Sequence, residues 1–197
     1  MVHGHGRGQG GVRIIVDTFL EDSQADLLQL LSDCPPRPVT VMGGVGCGCE
    51  RIVVARGERR WPEDKQLSLW GVRAGPSKLR SMAQSWWRCA GVMVIGQSGV
   101  GRPADELDAR VALWRGLAPR AALGVGVYAD GRQKYGAVSR NADRIARRLG
   151  RPLPVFSLKR GSRRDAMALL AAVVVQCEFP CVSDIMALRV SSPVEAD

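Results

Sequence analysis

The second half of the chain alternates strand-sized apolar segments with longer helical patterns. Ala90–Ile95 and Ala121–Val127 are continuous apolar stretches, and each is followed by residues with the apolar spacing of a helix. Strands separated by such helices pair in parallel. A strand that is apolar along its whole length is buried on both faces, so helices must cover both sides of the sheet. The pattern therefore predicts an α/β protein with a mostly parallel sheet.

The first half adds one strand, one helix and one antiparallel pair. Val12–Val16 is a short apolar stretch, and Ser23–Leu31 places its leucines on one side of a helix. Arg51–Arg56 and Gln66–Trp70 are strand-like, and the polar turn Gly57–Asp64 between them predicts a hairpin. The predicted architecture has three layers, with one antiparallel edge strand on the parallel sheet.

Size and composition indicate one domain. The chain has 197 residues, of which 46% are hydrophobic, which is enough for a substantial α/β core. We expect a flexible glycine-rich tail at 1–11, the domain at 12–177, and a C-terminal helical extension and tail at 178–197. No stretch approaches the roughly 18 apolar residues of a membrane-spanning helix, and residues 1–11 lack the apolar core of a secretory signal. We therefore expect an intracellular protein that does not bind membranes.

Charge and cysteine content leave two questions open. The net charge of +9 comes almost wholly from arginine, and a basic surface suits nucleic acid, anionic lipid or an acidic partner. No recognition motif accompanies it, so a solvated surface and an accessory contact with DNA are both compatible with the sequence. Cys47 and Cys49 form a close pair among 6 cysteines, but no histidine cluster or second pair completes a zinc site. We expect free thiols and no metal.

Few side chains suit catalysis. Both histidines, His3 and His5, lie in the N-terminal tail. A catalytic triad or a Cys–His pair in the domain would need an imidazole there. We therefore expect no enzyme activity.

Four segments resemble the Ras-like small GTPases, in the order of that family. Leu67–Trp70 resembles the strand before switch II, and Lys78–Gly91 resembles the switch II helix. Val127–Asp130 falls at the guanine-reading Asn-Lys-x-Asp motif, and Ser157–Lys159 falls at the Ser-Ala-Lys motif. The resemblance covers residues 12–177 and implies a Ras-like G domain.

The phosphate-binding positions of that family are replaced in this chain. A P-loop binds phosphates through glycine N–H groups and a lysine, and its Ser or Thr ligates Mg²⁺. On that motif the chain has carboxylates at both glycine positions and lacks the lysine and the hydroxyl. Each like-charge contact with phosphate costs on the order of a kcal/mol at partial burial. Glycines at 6–11 offer a competing alignment, but no strand precedes them. The degenerate positions are Asp17, Glu21, Asp22, Ser23 and Gln24.

The other nucleotide-binding positions are altered as well. Gly71 stands where the family has the aspartate that holds Mg²⁺ through water, and no glutamine follows Gly75 to orient an attacking water. Asp130, Ser157 and Lys159 could still touch a base, or they could serve turn geometry and capping. The resemblance thus implies a pseudo-GTPase that holds no cofactor.

The segment after the last predicted helix resembles the centromere protein M family of inner-kinetochore subunits. Cys177–Ser192 contains a Cys, Pro, Val-Ser, Leu and Ser-Ser series similar to that family, and Val12–Leu31 is similar to it too. The resemblance implies a nuclear protein-binding scaffold at the centromere that assembles with centromere proteins H, I and K. The predicted partner-binding side chains form a short apolar segment: Phe179, Val182, Ile185, Met186 and Leu188.

An alternative relative is the Rab-like GTPase of intraflagellar transport, which has a similar Trp-to-Gly spacing in switch II. That resemblance would imply a divergent trafficking switch that still binds guanine nucleotide, although the Rab-like family keeps the P-loop that this chain lacks. Three tryptophans, Trp86, Trp87 and Trp114, are candidates for either the core or an interface.

Overall fold

The computed structural model describes residues 11–18, 24–43, 50–62, 64–86, 89–97, 102–128, 134–149 and 153–179. Strands and helices alternate through these residues as the sequence pattern predicts. The strands are β1 (Val12–Thr18), β2 (Arg37–Gly43), β3 (Glu50–Trp61), β4 (Lys65–Val72), β5 (Gly91–Gln97), β6 (Ala122–Tyr128) and β7 (Val155–Leu158). The helices are α1 (Gln24–Leu31), α2 (Pro76–Trp86), α3 (Arg102–Leu117), α4 (Lys134–Leu149) and α5 (Arg163–Glu178).

All seven strands form one sheet in the order β2-β3-β4-β1-β5-β6-β7. From β4 to β7 every neighbouring pair is parallel, whereas β3 is antiparallel to both β2 and β4. The predicted α/β class and the mostly parallel sheet with its antiparallel edge are confirmed. The predicted hairpin is confirmed as the β3–β4 pair.

The edge strand β2 was missed, because the prolines at 35, 36 and 38 were interpreted as the end of α1 followed by a loop. β2 pairs with β3 from Arg37 opposite Arg56 to Gly43 opposite Glu50. Proline is tolerated on an edge strand, where an N–H group that faces solvent is not needed. The predicted polar turn Gly57–Asp64 is also wrong, since β3 continues to Trp61.

Helices cover both faces of the sheet, and two apolar clusters separate them from it. α1 and α5 pack on one face, and α2, α3 and α4 pack on the other. Successive residues of β1 show the division: Ile14 and Val16 belong to the α1–α5 cluster and Ile15 to the opposite cluster. This burial on both faces explains why the parallel strands are apolar along their length.

Helix boundaries follow local signals in part. Pro103 lies in the first turn of α3, as predicted, where its missing N–H group costs nothing. α4 begins at Lys134, so the prediction that Ser139 caps this helix is wrong. Ser139 is exposed, and a serine that faces solvent is tolerated inside a helix. Within the described ranges, no helix is long and apolar enough to cross a membrane.

Candidate functional site

The candidate site lies where the parallel strands end, beside β1. The chain leaves β1 toward β4 on one side of the sheet and later returns to β5 on the other side. Such a switch point is the usual ligand-binding crevice of an open α/β sheet. Five of the predicted site residues lie along this edge: Asp17, Gln24, Gly71, Ser157 and Lys159. Other predicted residues lie outside the described ranges: Glu21, Asp22, Ser23, Asp130, Val182, Ile185, Met186 and Leu188.

Asp17 is inside the protein, within β1, which extends beyond the predicted strand Val12–Val16. It pairs with Val72 and Val94 in the neighbouring strands and is 0% exposed. Its Oδ2 atom lies 3.1 Å from Nε of Arg110 and accepts a hydrogen bond of 2.5 Å from Nε1 of Trp114. Both partners belong to α3, so this carboxyl group ties the end of β1 to the helix beneath it.

Two effects compete at the Asp17 carboxyl group. Burial raises its pKa from 3.8 to about 6, while the charge of Arg110 and the hydrogen bond from Trp114 lower it. The loss of hydration therefore outweighs the attraction of the guanidinium, as is common for buried ion pairs. Oδ1 of Asp17 is buried without a hydrogen-bond partner among the described residues, which adds to the cost of the charged form.

Gly71 and Gln24 meet on the opposite face of the sheet. A Cβ atom added to Gly71 would lie 2.2 Å from Cδ1 of Leu28 and 3.0 Å from Nε2 of Gln24. The first turns of α1 therefore lie directly on the β4 backbone, and no side chain fits at position 71 without a shift of that helix. Nε2 of Gln24 is buried and has no hydrogen-bond partner among the described residues.

Gly75 has a different environment. It is exposed, and an added Cβ atom would have no heavy atom within 4 Å. Its carbonyl oxygen accepts a hydrogen bond of 3.0 Å from the N–H group of Leu79. Gly75 thus belongs to the start of α2, and its surroundings leave room for a side chain.

Ser157 and Lys159 lie at the start of a structured turn between β7 and α5. The N–H group of Lys159 donates to Oδ2 of Asp165 at 3.0 Å, and the N–H group of Asp165 donates to Oγ of Ser162 at 3.3 Å. Ser162 is the N-cap of α5, so this is a reciprocal capping arrangement. The backbone of Lys159 serves turn geometry and capping, one of the two roles that the sequence leaves open for this position.

Tyr128 ends β6 beside the same turn. Its side chain is 6% exposed and belongs to the α1–α5 cluster, and the guanidinium carbon of Arg160 lies 5.7 Å from its ring centroid. Burial raises the pKa of Tyr128. This tyrosine is therefore a neutral core residue at the position where the Ras-like motif has a lysine.

Of the three tryptophan candidates, Trp114 belongs to the core, with 4% of its surface exposed. The side chains of Trp86 and Trp87 lie outside the described part of the structure. Sequence reasoning missed the contact of Asp17 with Arg110 and Trp114. A usable signal was present, because Arg110 and Trp114 share a helix face with Leu107 and Val111, where a charge needs a buried partner.

The described cysteines are free and show no sign of activation. Cys34, Cys89 and Cys177 form no disulfide, as predicted for these three. Burial raises the pKa of Cys177 to about 12, and it raises the pKa of Cys89 as well. Both thiols are protonated at neutral pH, which makes them poor nucleophiles. No cluster of three or more potential metal ligands occurs among the described residues.

Two shallow grooves lie away from the strand ends. One, of about 450 Å³, runs along α3 beside Arg80 of α2, and the other, of about 320 Å³, lies between α1 and the outer strands beside Val53. Neither is lined by Asp17, Gln24, Ser157 or Lys159. Comparison with known protein families and with curated proteins found no match.

Proposed function

We propose that this chain is a Ras-like pseudo-GTPase that binds other proteins and holds no nucleotide. The assembly that best suits it is the inner kinetochore, where it would act as a scaffold with centromere proteins H, I and K. The sheet order, with α1 and α5 on one face and α2 to α4 on the other, supports a G-domain type of fold with β2 added at the edge.

The observation that carries the proposal is the contact between Gly71 and α1. On the Ras-like alignment, positions 24 and 71 supply the two Mg²⁺-binding groups, and these positions lie side by side in this structure. Here they hold an amide and no side chain at all. Mg²⁺ at a nucleotide site relies on carboxylate and hydroxyl oxygens together with phosphate. Because Leu28 fills the space beside Gly71, the packing leaves no room for a carboxylate at that position.

The Asp17 cluster supports the same conclusion on the other face. A P-loop glycine lets the backbone approach phosphate closely. Asp17 instead carries a side chain that is fixed against α3 by Arg110 and Trp114. The guanidinium of Arg110 is thereby committed to an internal carboxylate.

Nucleotide content and nucleotide binding test the proposal directly. Purified protein is denatured and the released nucleotide is assayed, and fluorescent GTP and GDP are titrated with Mg²⁺. We expect no bound nucleotide and no saturable binding. Binding at micromolar or tighter affinity would refute the pseudo-GTPase and favour the alternative, a divergent Rab-like switch in trafficking or intraflagellar transport.

The kinetochore assignment needs a separate experiment. Purified centromere proteins H, I and K are mixed with the full chain, and complex formation is measured by size-exclusion chromatography. We expect one complex that contains all four proteins. Failure of the four proteins to assemble would remove this assignment and leave the pseudo-GTPase proposal standing.

The accessory contact with DNA stays a prediction from the basic composition. Affinity for duplex DNA should fall steeply with salt if phosphate contacts supply it. Weak binding without salt dependence would leave only the solvated basic surface.

A further inference from the structure

The outer face of α5 is apolar along most of its length. From Ala166 to Cys177 the sequence contains no charged residue. Val175 is 45% exposed and Phe179, the C-cap residue, is 56% exposed. They are two of the three large hydrophobic side chains that the described part of the chain leaves exposed. With Ala168 and Ala172 they follow the spacing of one helix face; we call these four residues the α5 stripe.

An outer helix face normally carries charge. α4 shows the usual pattern, with Arg140, Asp143 and Arg147 exposed on its solvent side. On the α5 stripe, by contrast, two large side chains stand in water beside small ones. A continuous apolar patch on a surface helix indicates a face that another segment covers.

A cluster of cations lies at the N-terminal end of the α5 stripe. It consists of four exposed side chains, Lys159, Arg160, Arg163 and Arg164. The two ends of the helix therefore differ: cations stand where α5 begins, and apolar side chains stand where it ends. A segment that covers this face needs apolar groups near Phe179 and acidic groups near Arg163.

Residues 180–197 have that distribution in that order. Val182, Ile185, Met186 and Leu188 come soon after Phe179, and Glu195 and Asp197 come last. If the chain reverses after Phe179 and runs antiparallel to α5, the apolar side chains meet the α5 stripe and the carboxylates reach the cation cluster. The opposite direction along the helix would not match either set.

Distances allow this arrangement. From Arg163 to Phe179, α5 is about 24 Å long at about 1.5 Å per residue. Residues 182–195 span about 20 Å as a helix and more than about 40 Å when extended. Pro180 prevents α5 from continuing unchanged, and Phe179 already has a non-helical backbone with φ −125° and ψ 71°. The chain can thus turn at this point and return to the start of the helix.

We propose that residues 180–197 fold back over the outer face of α5, with their apolar side chains on the α5 stripe and Glu195 and Asp197 beside the cation cluster. A protein that binds Phe179, Val182 or Leu188 must then displace this segment from the domain. The inference does not rest on the nucleotide-free state, and a failed nucleotide test would leave it unchanged.

Trypsin cleavage after Arg189, the one basic residue in 180–197, tests the proposal in the full-length chain. Release of residues 190–197 under native conditions is timed by mass spectrometry and compared with cleavage of a free 180–197 peptide. We expect cleavage of the full chain to be at least about tenfold slower, because native-state cleavage follows the population of the open form.

Matched variants separate docking from general protection. Val175→Glu places a charge on the α5 stripe and should accelerate cleavage by about tenfold or more, since it buries a carboxylate under the tail. Val53→Glu, at a side chain that is 68% exposed on β3, should leave the rate unchanged. Far-UV circular dichroism and the melting temperature confirm that both variants are folded.

The acidic end is tested separately. Glu195→Lys combined with Asp197→Lys should accelerate cleavage at low salt, and high salt should remove most of the difference because screening weakens exposed charge pairs. Cleavage of the full chain at the rate of the free peptide, or equal rates for Val175→Glu and Val53→Glu, would overturn the proposal. Sedimentation velocity adds a check: a dimer that Val175→Glu dissociates would assign the α5 stripe to a second copy and also overturn it.

Discussion

Asp17 is a buried carboxyl group whose ionisation the fold disfavours, although a guanidinium lies 3.1 Å away. Its pKa of about 6 exceeds the ordinary value of 3.8, so the folded chain binds this proton more tightly than the unfolded chain. The contribution of Asp17 to stability is therefore largest below pH 3.8 and falls as the pH rises to about 6. Most carboxylates in salt bridges have the opposite sign.

Arg110→Met should expose this balance through a pH-dependent loss of stability. At pH 8 the Asp17 carboxylate would be buried without its cation, at a cost of about 3 kcal/mol. At pH 5 the carboxyl group is mostly protonated, and the loss should be clearly smaller. Urea unfolding at both pH values measures the difference. Arg140→Met, at an exposed arginine of α4, is the control and should change little at either pH; an equal loss for Arg110→Met at both values would contradict the ion-pair interpretation.

Gly71→Ala tests whether the contact with α1 is as close as the geometry indicates. The new methyl group would overlap Leu28, a buried residue of α1, and we expect a loss of about 1–3 kcal/mol in the free energy of unfolding. Gly116→Ala is a matched control near the end of α3, where an added Cβ atom has no heavy atom within 4 Å. That substitution should stabilise the protein by about 0.5–1 kcal/mol. Equal effects of the two substitutions would show that α1 yields easily.

At the scale of elements, a buried carboxylate joins α3 to α4. The side chain of Asp108 is 1% exposed and accepts hydrogen bonds from Nε of Arg144 at 2.9 and 3.1 Å and from Nη1 of Arg148 at 3.1 Å. Two helices that cover the same face of the sheet thus share one anion. Charge-assisted bonds of this kind are stronger than neutral ones, so α4 depends on α3 for its position.

Asp108→Asn should weaken this connection by about 2 kcal/mol, because two guanidinium groups lose their counter-charge. Asp105→Asn serves as the control, since Asp105 is exposed in the first turn of the same helix. Chemical denaturation measures both. Hydrogen exchange of α4 should accelerate in Asp108→Asn more than exchange of α5; uniform acceleration throughout the chain would argue against a local tie.

For the whole molecule, the proposed loss of nucleotide binding predicts that Mg²⁺ with GDP or GTP leaves thermal unfolding unchanged. A nucleotide present at about 100 times its Kd would stabilise the folded chain by about 2.7 kcal/mol through mass action. A scanning melt with and without nucleotide detects an increase of that size. EDTA should be equally without effect, and a melting temperature that falls with EDTA would indicate a bound metal.

Much of the fold could be predicted from the sequence, since the alternation of apolar strands and helices requires a covered parallel sheet. It also placed β5, β6, α3 and α5 to within a few residues. Strand β2 escaped prediction because its prolines contradict strand propensity, and only pairing with β3 compensates for them. Local propensity is informative where the apolar period is long, and it fails where a neighbouring strand supplies the hydrogen bonds.

The candidate site divides in the same way. The sequence by itself determined which chemical groups are present at the nucleotide-binding positions, because residue identity decides charge and hydrogen-bonding capacity. Only the tertiary structure decided what surrounds them: Asp17 faces Arg110 across ninety-three residues of chain, and Leu28 fills the space beside Gly71. Contacts between residues distant in the chain depend on how elements pack, and no local pattern encodes that packing.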